Sequence, residues 1–353
     1  MAENNDFLLY GANGYVGEAA ARMAVETGLR PVLAGRDAAK IGKLAAALSL
    51  DYRVFDLQDP HKVVSALKDT TVLLHCAGPY LYTSKPMVDA CLQTGTHYLD
   101  LTGEIPVYEA VARRDAEAKA RGVMLLPGTG FDVVPTDCLA LHLKQRLPSA
   151  THLALAFQSE GPAGLPPGTQ KTAIELINYG DRVRSAGALV APAQAIKTRL
   201  ADFGKGPVLA TRLTWGDVFT AYHSTGIPNI EDYTVIPEAS RKLIALLGKL
   251  RPLLKWALLR NLLKRGVQPG PTAEQRARTL MHVWGEATDQ QGRKAVSRLH
   301  GPEAGVIWTV RAALAAVRKV LSGSAPAGFQ TPATAYGADF VLQCEGVTRE
   351  DVE

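Results

Sequence analysis

The stretch "LLYGANGYVG", residues 8–17, decides how this chain is read: a short apolar run, then glycines at 11, 14 and 17. A strand that turns sharply through glycines into a helix leaves backbone N–H groups at the positive end of that helix, where a pyrophosphate can be held. In such a fingerprint Gly11 permits the tight turn, Gly14 lets the backbone approach the phosphates, and Gly17 allows close packing of helix on strand. The spacing is GxxGxxG, a variant of the dinucleotide-binding GxGxxG, and small-residue turns of this kind also occur as plain packing features. Its place after a strand, within a βαβ unit, favours a nucleotide, so Ala12, Asn13, Tyr15 and Val16 join the three glycines as candidate cofactor contacts.

Working outward, short apolar runs alternate with amphipathic ones. Strands are expected at 7–10, 31–35, 52–55, 72–76, 97–101 and 123–127, with helices at 15–28, 38–48, 60–68, 84–94 and 106–121 between them. Parallel strands need a returning helix, so this alternation predicts a doubly wound α/β Rossmann domain over residues 1–150. Beyond it, alternating runs at 151–159, 206–222 and 279–289 predict an α+β domain over 151–330, built on a mostly antiparallel sheet with helices on one side. A helix is expected over 305–321 and an ordered loop over 328–337, with residues 331–353 packing back on the first domain.

The whole chain has 353 residues and a net charge of +5, but residues 238–265 alone carry eight Lys/Arg against one acid, so the basic excess is local and argues against nucleic acid. The four cysteines, Cys76, Cys91, Cys138 and Cys344, lack metal-ligand spacing, which predicts neither disulfide nor metal. "MAENNDF" lacks the basic and apolar regions of a signal peptide, and no run is long enough for a membrane span, so a cytoplasmic address is expected.

An NAD-binding fold places an acid at the end of its second strand to bind the ribose 2′-OH. Here that strand ends in "LAGRD", so Gly35 and Arg36 occupy the place, and a guanidinium there favours the 2′-phosphate of NADP(H). The competing reading leaves Arg36 solvated and gives Asp37 the ribose of NAD.

Together, "GANGYVG", "LAGRD", "CAGPY" (76–80), "HYLDLTGE" (97–104), "GFDVVPTD" (130–137), "GTQKT" (168–172) and "GFQTPATAYG" (328–337) resemble the saccharopine dehydrogenase-like family, including its trans-acting enoyl reductase branch. The resemblance implies an N-terminal Rossmann domain, an α+β second domain, and NADP(H)-dependent oxidoreduction at their junction. That family covers both C=N and C=C chemistry.

Read on their own terms, Cys76, Ala77, Gly78 and Pro79 follow the fourth strand, at the carboxyl end where open α/β sheets bind ligands. Asp56, after the third strand, Asp100, at the end of the fifth, and Gly103, after it, complete the candidate cofactor set. Glu104, Phe131, Asp132 and Thr169 are candidate substrate contacts, Thr169 because it is expected before a helix N-terminus. Glu104 reads equally as an acid at the start of its own helix, and Thr169 as an ordinary cap. Asp132, before a helix on the ligand side of the sixth strand, is the first choice for a substrate-facing acid. Tyr80 is a candidate proton donor, although an aromatic wall is its better reading, and His75 and His97 read as structural strand residues.

Residues 240–266, basic and leucine-rich, read either as a helix pair buried against the second domain or a second subunit, as in a homodimer, or as a peripheral contact with an anionic membrane. The function expected is an NADPH-dependent reductase acting on the C=C bond of a small hydrophobic or acyl-linked, lipid-like substrate. The alternatives are saccharopine-type reduction of an imine formed from an amino acid, and an NADP(H) sensor or partner subunit without turnover.

Overall fold

The computed structural model describes residues 7–176, 179–194, 196–241 and 257–353. The chain divides into two compact units, Met1–Asp132 with Gly305–Ala335, and Val133–Ala304 with Tyr336–Glu353.

In the first unit β1 (Phe7–Tyr10), β2 (Pro31–Gly35), β3 (Tyr52–Val54), β4 (Val72–His75), β5 (His97–Asp100) and β6 (Met124–Leu126) form a parallel sheet. Its order is β3-β2-β1-β4-β5-β6, with β15 (Gly328–Phe329) added beyond β6. Strand β1 is buried at every position, as a strand covered on both faces must be. The helices between the strands are α1 (Tyr15–Glu26), α2 (Ala38–Leu48), α3 (Pro60–Leu67), α4 (Tyr80–Thr94), α5 (Ile105–Ala112) and α6 (Asp115–Ala120). On one face Leu8, Leu73 and Tyr98 pack with Val63, Met87, Cys91 and Val107 of α3 to α5. The alternate strand residues Leu9, Leu33 and Leu74 point the other way and are fully buried, on the side covered by α1 and the helix Thr309–Leu321.

In the second unit β10 (Thr198–Asp202), β11 (Pro207–Arg212), β12 (Asn229–Thr234), β7 (His152–Glu160), β13 (Leu280–Thr288), β14 (Lys294–Pro302) and β16 (Thr348–Val352) lie in that order. Every neighbouring pair on this path is antiparallel except β12 with β7. Helices α7 (Val134–Arg146) and α9 (Asp217–Thr225) pack against it. Arg199 of β10 pairs with Glu286 of β13 and stacks over Trp284, so the sheet curls until its β10 edge reaches β13.

The units differ from the expected boundaries in three places. Helix α7 belongs to the second unit, because it packs on β13 and β14. Residues 305–335 return to the first, whose sheet they cover and extend. Residues 336–353 belong to the second unit, where β16 takes the open edge of β14, in register from Val296↔Val352 to His300↔Thr348. The run 206–222 is likewise not one strand, since β11 ends at Arg212 and α9 begins at Asp217. The stretch 328–337 carries β15 and the short helix Pro332–Tyr336.

Most of residues 240–266 lie outside the described residues. Of that stretch the helix Ala257–Arg265 is described, and its Arg260 and Lys264 pair with Glu175 of α8 (Pro167–Leu176). Among the described residues no helix is long and apolar enough to cross a membrane.

Candidate cofactor site

The strand order of the first sheet runs one way from β1 to β2 and the other way from β1 to β4, so the loops after β1 and β4 diverge and leave a crevice at their carboxyl ends. The turn after β1 is tight: Gly11 has φ +82° and, with Ala12, donates its N–H to Ala34 O. A Cβ at Gly11 would lie 2.9 Å from both Ala77 Cβ and Cys76 C, so the two loops already touch. A Cβ at Gly17 would overlap the carbonyl of Gly11, so α1 can lie this close to the turn only with glycine there. Helix α1 is capped by Gly14, an exposed residue with no side chain to cover the helix's first N–H groups. Tyr15 and Val16, half-buried, form its first turn, and Asn13 places Oδ1 against Gly35.

The acid that would bind the ribose of NAD is engaged elsewhere. Asp37 caps α2, accepting from Lys40 N–H at 3.1 Å and pairing with Lys40 Nζ at 3.0 Å, and these bonds hold its carboxyl below the usual range. Arg36 is exposed and has no hydrogen-bond or ion-pair partner among the described residues. Asp56, also exposed, accepts from Gln58 N–H at 2.9 Å. Between them Tyr10 is buried, with its hydroxyl donating to Phe55 O and its pKa raised to about 12 by desolvation first and Asp56 second. A glycine-lined helix start beside an unpaired guanidinium fits a phosphorylated dinucleotide.

The remaining candidates separate by what their polar atoms already do. Asp100 is fully buried and accepts from Tyr98 OH (2.6 Å), Thr102 N–H (2.9 Å) and Gly128 N–H (2.8 Å). Desolvation raises its pKa to about 6, and its bonds join the end of β5 to the loop after β6. Glu104 caps the start of α4 rather than its own helix, with Oε1 accepting from Tyr80 N–H and Oε2 from Leu81 N–H, each at 2.8 Å. Tyr80 is buried, its hydroxyl donates to His75 O at 3.3 Å, and burial drives its pKa well above the usual value. Phe131 is buried edge-on to Trp308, with its N–H on Thr309 Oγ1. Thr169 stands inside the first turn of α8 rather than ahead of it, and in the second unit.

His75 and His97 are structural. Thr83 OH donates to Ala77 O at 2.7 Å, so it accepts from His75 Nε2 at 3.0 Å; full burial lowers the His75 pKa to about 3 and keeps the ring neutral. His97 Nδ1 accepts from Met124 N–H at 3.0 Å. Burial also raises the Cys76 thiol, which removes it as a nucleophile.

Asp132 is different. It follows β6, is half-buried, and forms no hydrogen bond or ion pair among the described residues. Its carboxyl packs on Gly103, where a Cβ would sit 3.0 Å from Oδ2. Desolvation alone raises its pKa from 3.8 to about 6. A carboxyl left without partners and tuned toward neutrality at the ligand end of a sheet is a candidate acid–base group. Neither Gly103 as its platform nor Glu104 as a helix clamp was legible from "LDLTGE", because both roles depend on partners far away in sequence.

Residues 7–126 match the family model "Saccharopine dehydrogenase NADP binding domain". A human saccharopine dehydrogenase-like oxidoreductase is 27% identical over 199 residues, 50% of this chain and 46% of that protein. A trans-acting enoyl reductase of Mycobacterium leprae (strain TN) is 32% identical over 150 residues, 40% of this chain and 36% of that protein. The matched stretch thus spans less than half of these curated relatives. The solved saccharopine dehydrogenase (L-Glu forming) from Saccharomyces cerevisiae superposes with a TM-score of 0.66 over 98% of this chain and 99% of that one, at 12% identity, which speaks to the fold alone.

Proposed function

We propose, from the match of residues 7–126 to the saccharopine dehydrogenase NADP binding domain, that this chain is an NADP(H)-dependent oxidoreductase acting on a C=N bond. When bound, the cofactor supplies the hydride; the chain's residues hold it and manage the proton. The α1 N-terminus, opened by Gly14, receives the pyrophosphate, and Arg36 takes the 2′-phosphate.

The observation that carries the choice of acceptor is Asp132, a carboxyl with no cation beside it among the described residues. Reduction of an imine passes through a cationic iminium, which a carboxylate stabilises and a carboxylic acid can generate by protonating nitrogen. Reduction of a conjugated C=C bond builds negative charge on an enolate oxygen, which the same carboxylate opposes. Charge at Asp132 therefore favours the C=N reading over the C=C reading expected from the sequence. In the balanced step hydride goes to the imine carbon and the Asp132 proton goes to nitrogen, leaving an amine.

The test is NADPH consumption with amine and oxo-acid pairs that form imines, set against enoyl thioesters. Turnover of the imine-forming pairs, lost in Asp132→Asn, supports the proposal. Turnover of enoyl thioesters alone overturns it in favour of C=C chemistry. NADPH binding without any oxidation supports the sensor reading.

A further inference from the structure

Two helices begin at the crevice, and their ends are finished differently. Helix α1 opens on a glycine with no side-chain cap. Helix α4 opens on Pro79, and its first two N–H groups are both taken by Glu104, a carboxylate only 1% exposed. A buried carboxylate on a helix N-terminus gains two charge-assisted hydrogen bonds and a favourable dipole, so it is a strong clamp.

Glu104 is itself held in place. Its N–H donates to Thr102 Oγ1 at 3.0 Å, Thr102 N–H donates to Asp100, and Tyr108 OH donates to Thr102 O at 2.5 Å. On the other side of the clamp lies the loop 76–79. Its Cys76 N–H donates to Tyr10 O at 2.8 Å, and its Ala77 meets the Gly11 turn with no room for one added carbon. A shift at the start of α4 is therefore passed to the glycine turn.

We propose that Glu104 is a positioning residue for the coenzyme: by clamping the first two amides of α4 it fixes the loop 76–79 against the Gly11 turn and so sets the width of the crevice. The Glu104 side chain also occupies the second helix N-terminus, leaving α1 as the helix start that receives phosphate. This inference rests on the reading of the first domain as the NADP(H) site.

The test titrates NADPH and NADH, by quenching of protein fluorescence, into wild type, Glu104→Gln, Glu104→Ala and Arg36→Ala. Glu104→Gln keeps the length but turns an amide N–H toward one backbone N–H, so NADPH affinity should fall several-fold, and in Glu104→Ala by about tenfold. The preference for NADPH over NADH should persist in both, while Arg36→Ala abolishes it. A residue that served only the fold would lower thermal stability without changing the affinity of the folded protein. A Glu104→Ala protein with native circular dichroism and NADPH affinity within twofold of wild type overturns the inference. Should both Glu104 variants fail to fold, hydrogen exchange on wild type decides: NADPH is expected to slow exchange across residues 76–81, and unchanged exchange there overturns it. A wild type that binds neither coenzyme overturns this inference and the proposed function together, whereas binding that is indifferent to Glu104 overturns this inference alone.

Discussion

Replacing Asp132 by Asn should make the protein more stable and less active at once, and the pH dependence of the gain identifies the cause. Burial holds the Asp132 pKa at about 6 against an ordinary 3.8, so the folded state binds this proton more tightly than the unfolded chain does. Stability from this group is complete below pH 3.8, falls as pH rises toward about 6, and is flat above it. A shift of about two pKa units corresponds to ~3 kcal/mol, and partial exposure of the side chain reduces this to ~1–3 kcal/mol. Asparagine has no charge to desolvate, so urea denaturation should find Asp132→Asn more stable by ~1–3 kcal/mol at pH 7.5 and nearly equal to wild type at pH 4. Turnover of an imine-forming pair should fall by about 100-fold or more, the usual contribution of a positioned acid or base. A variant that is destabilised at pH 7.5, or whose advantage is the same at pH 4, would refute the account of Asp132 as an unpaired, desolvated carboxyl.

Other substitutions probe the rest of the crevice. Arg36→Glu should weaken NADPH by about 10–100-fold, the worth of a lost charge-assisted contact, while leaving NADH binding little changed; an unaltered coenzyme preference in calorimetric titrations would remove Arg36 from 2′-phosphate recognition. Gly17→Ala should cost ~1–3 kcal/mol in chemical denaturation and abolish NADPH binding, because its Cβ meets the rigid backbone of Gly11 and Ala12. Tyr80→Phe should keep turnover within about twofold and lose ~1 kcal/mol, the value of its hydrogen bond to His75 O. A large fall in kcat for that variant would restore Tyr80 as a proton donor.

The glycine turn, the parallel sheet and the place of Arg36 were legible in the sequence because each is local. Apolar runs must be buried on both faces, glycines must stand where backbone touches backbone, and the residue ending β2 is fixed by counting from the fingerprint. What each acid does was not legible. Asp100, Glu104 and Asp132 lie within 33 positions of one another after neighbouring strands, yet one ties two loops together, one caps a helix that begins 24 residues earlier in the chain, and one has no partner. Helix α9 and strand β16 escaped for a similar reason, since the run through residue 222 has apolar residues compatible with either period and the last five-residue strand exists only because β14 offers an open edge. Local patterning chose the elements and the coenzyme; the folding of distant backbone N–H groups onto particular carboxylates decided which acid was left without a partner among the described residues.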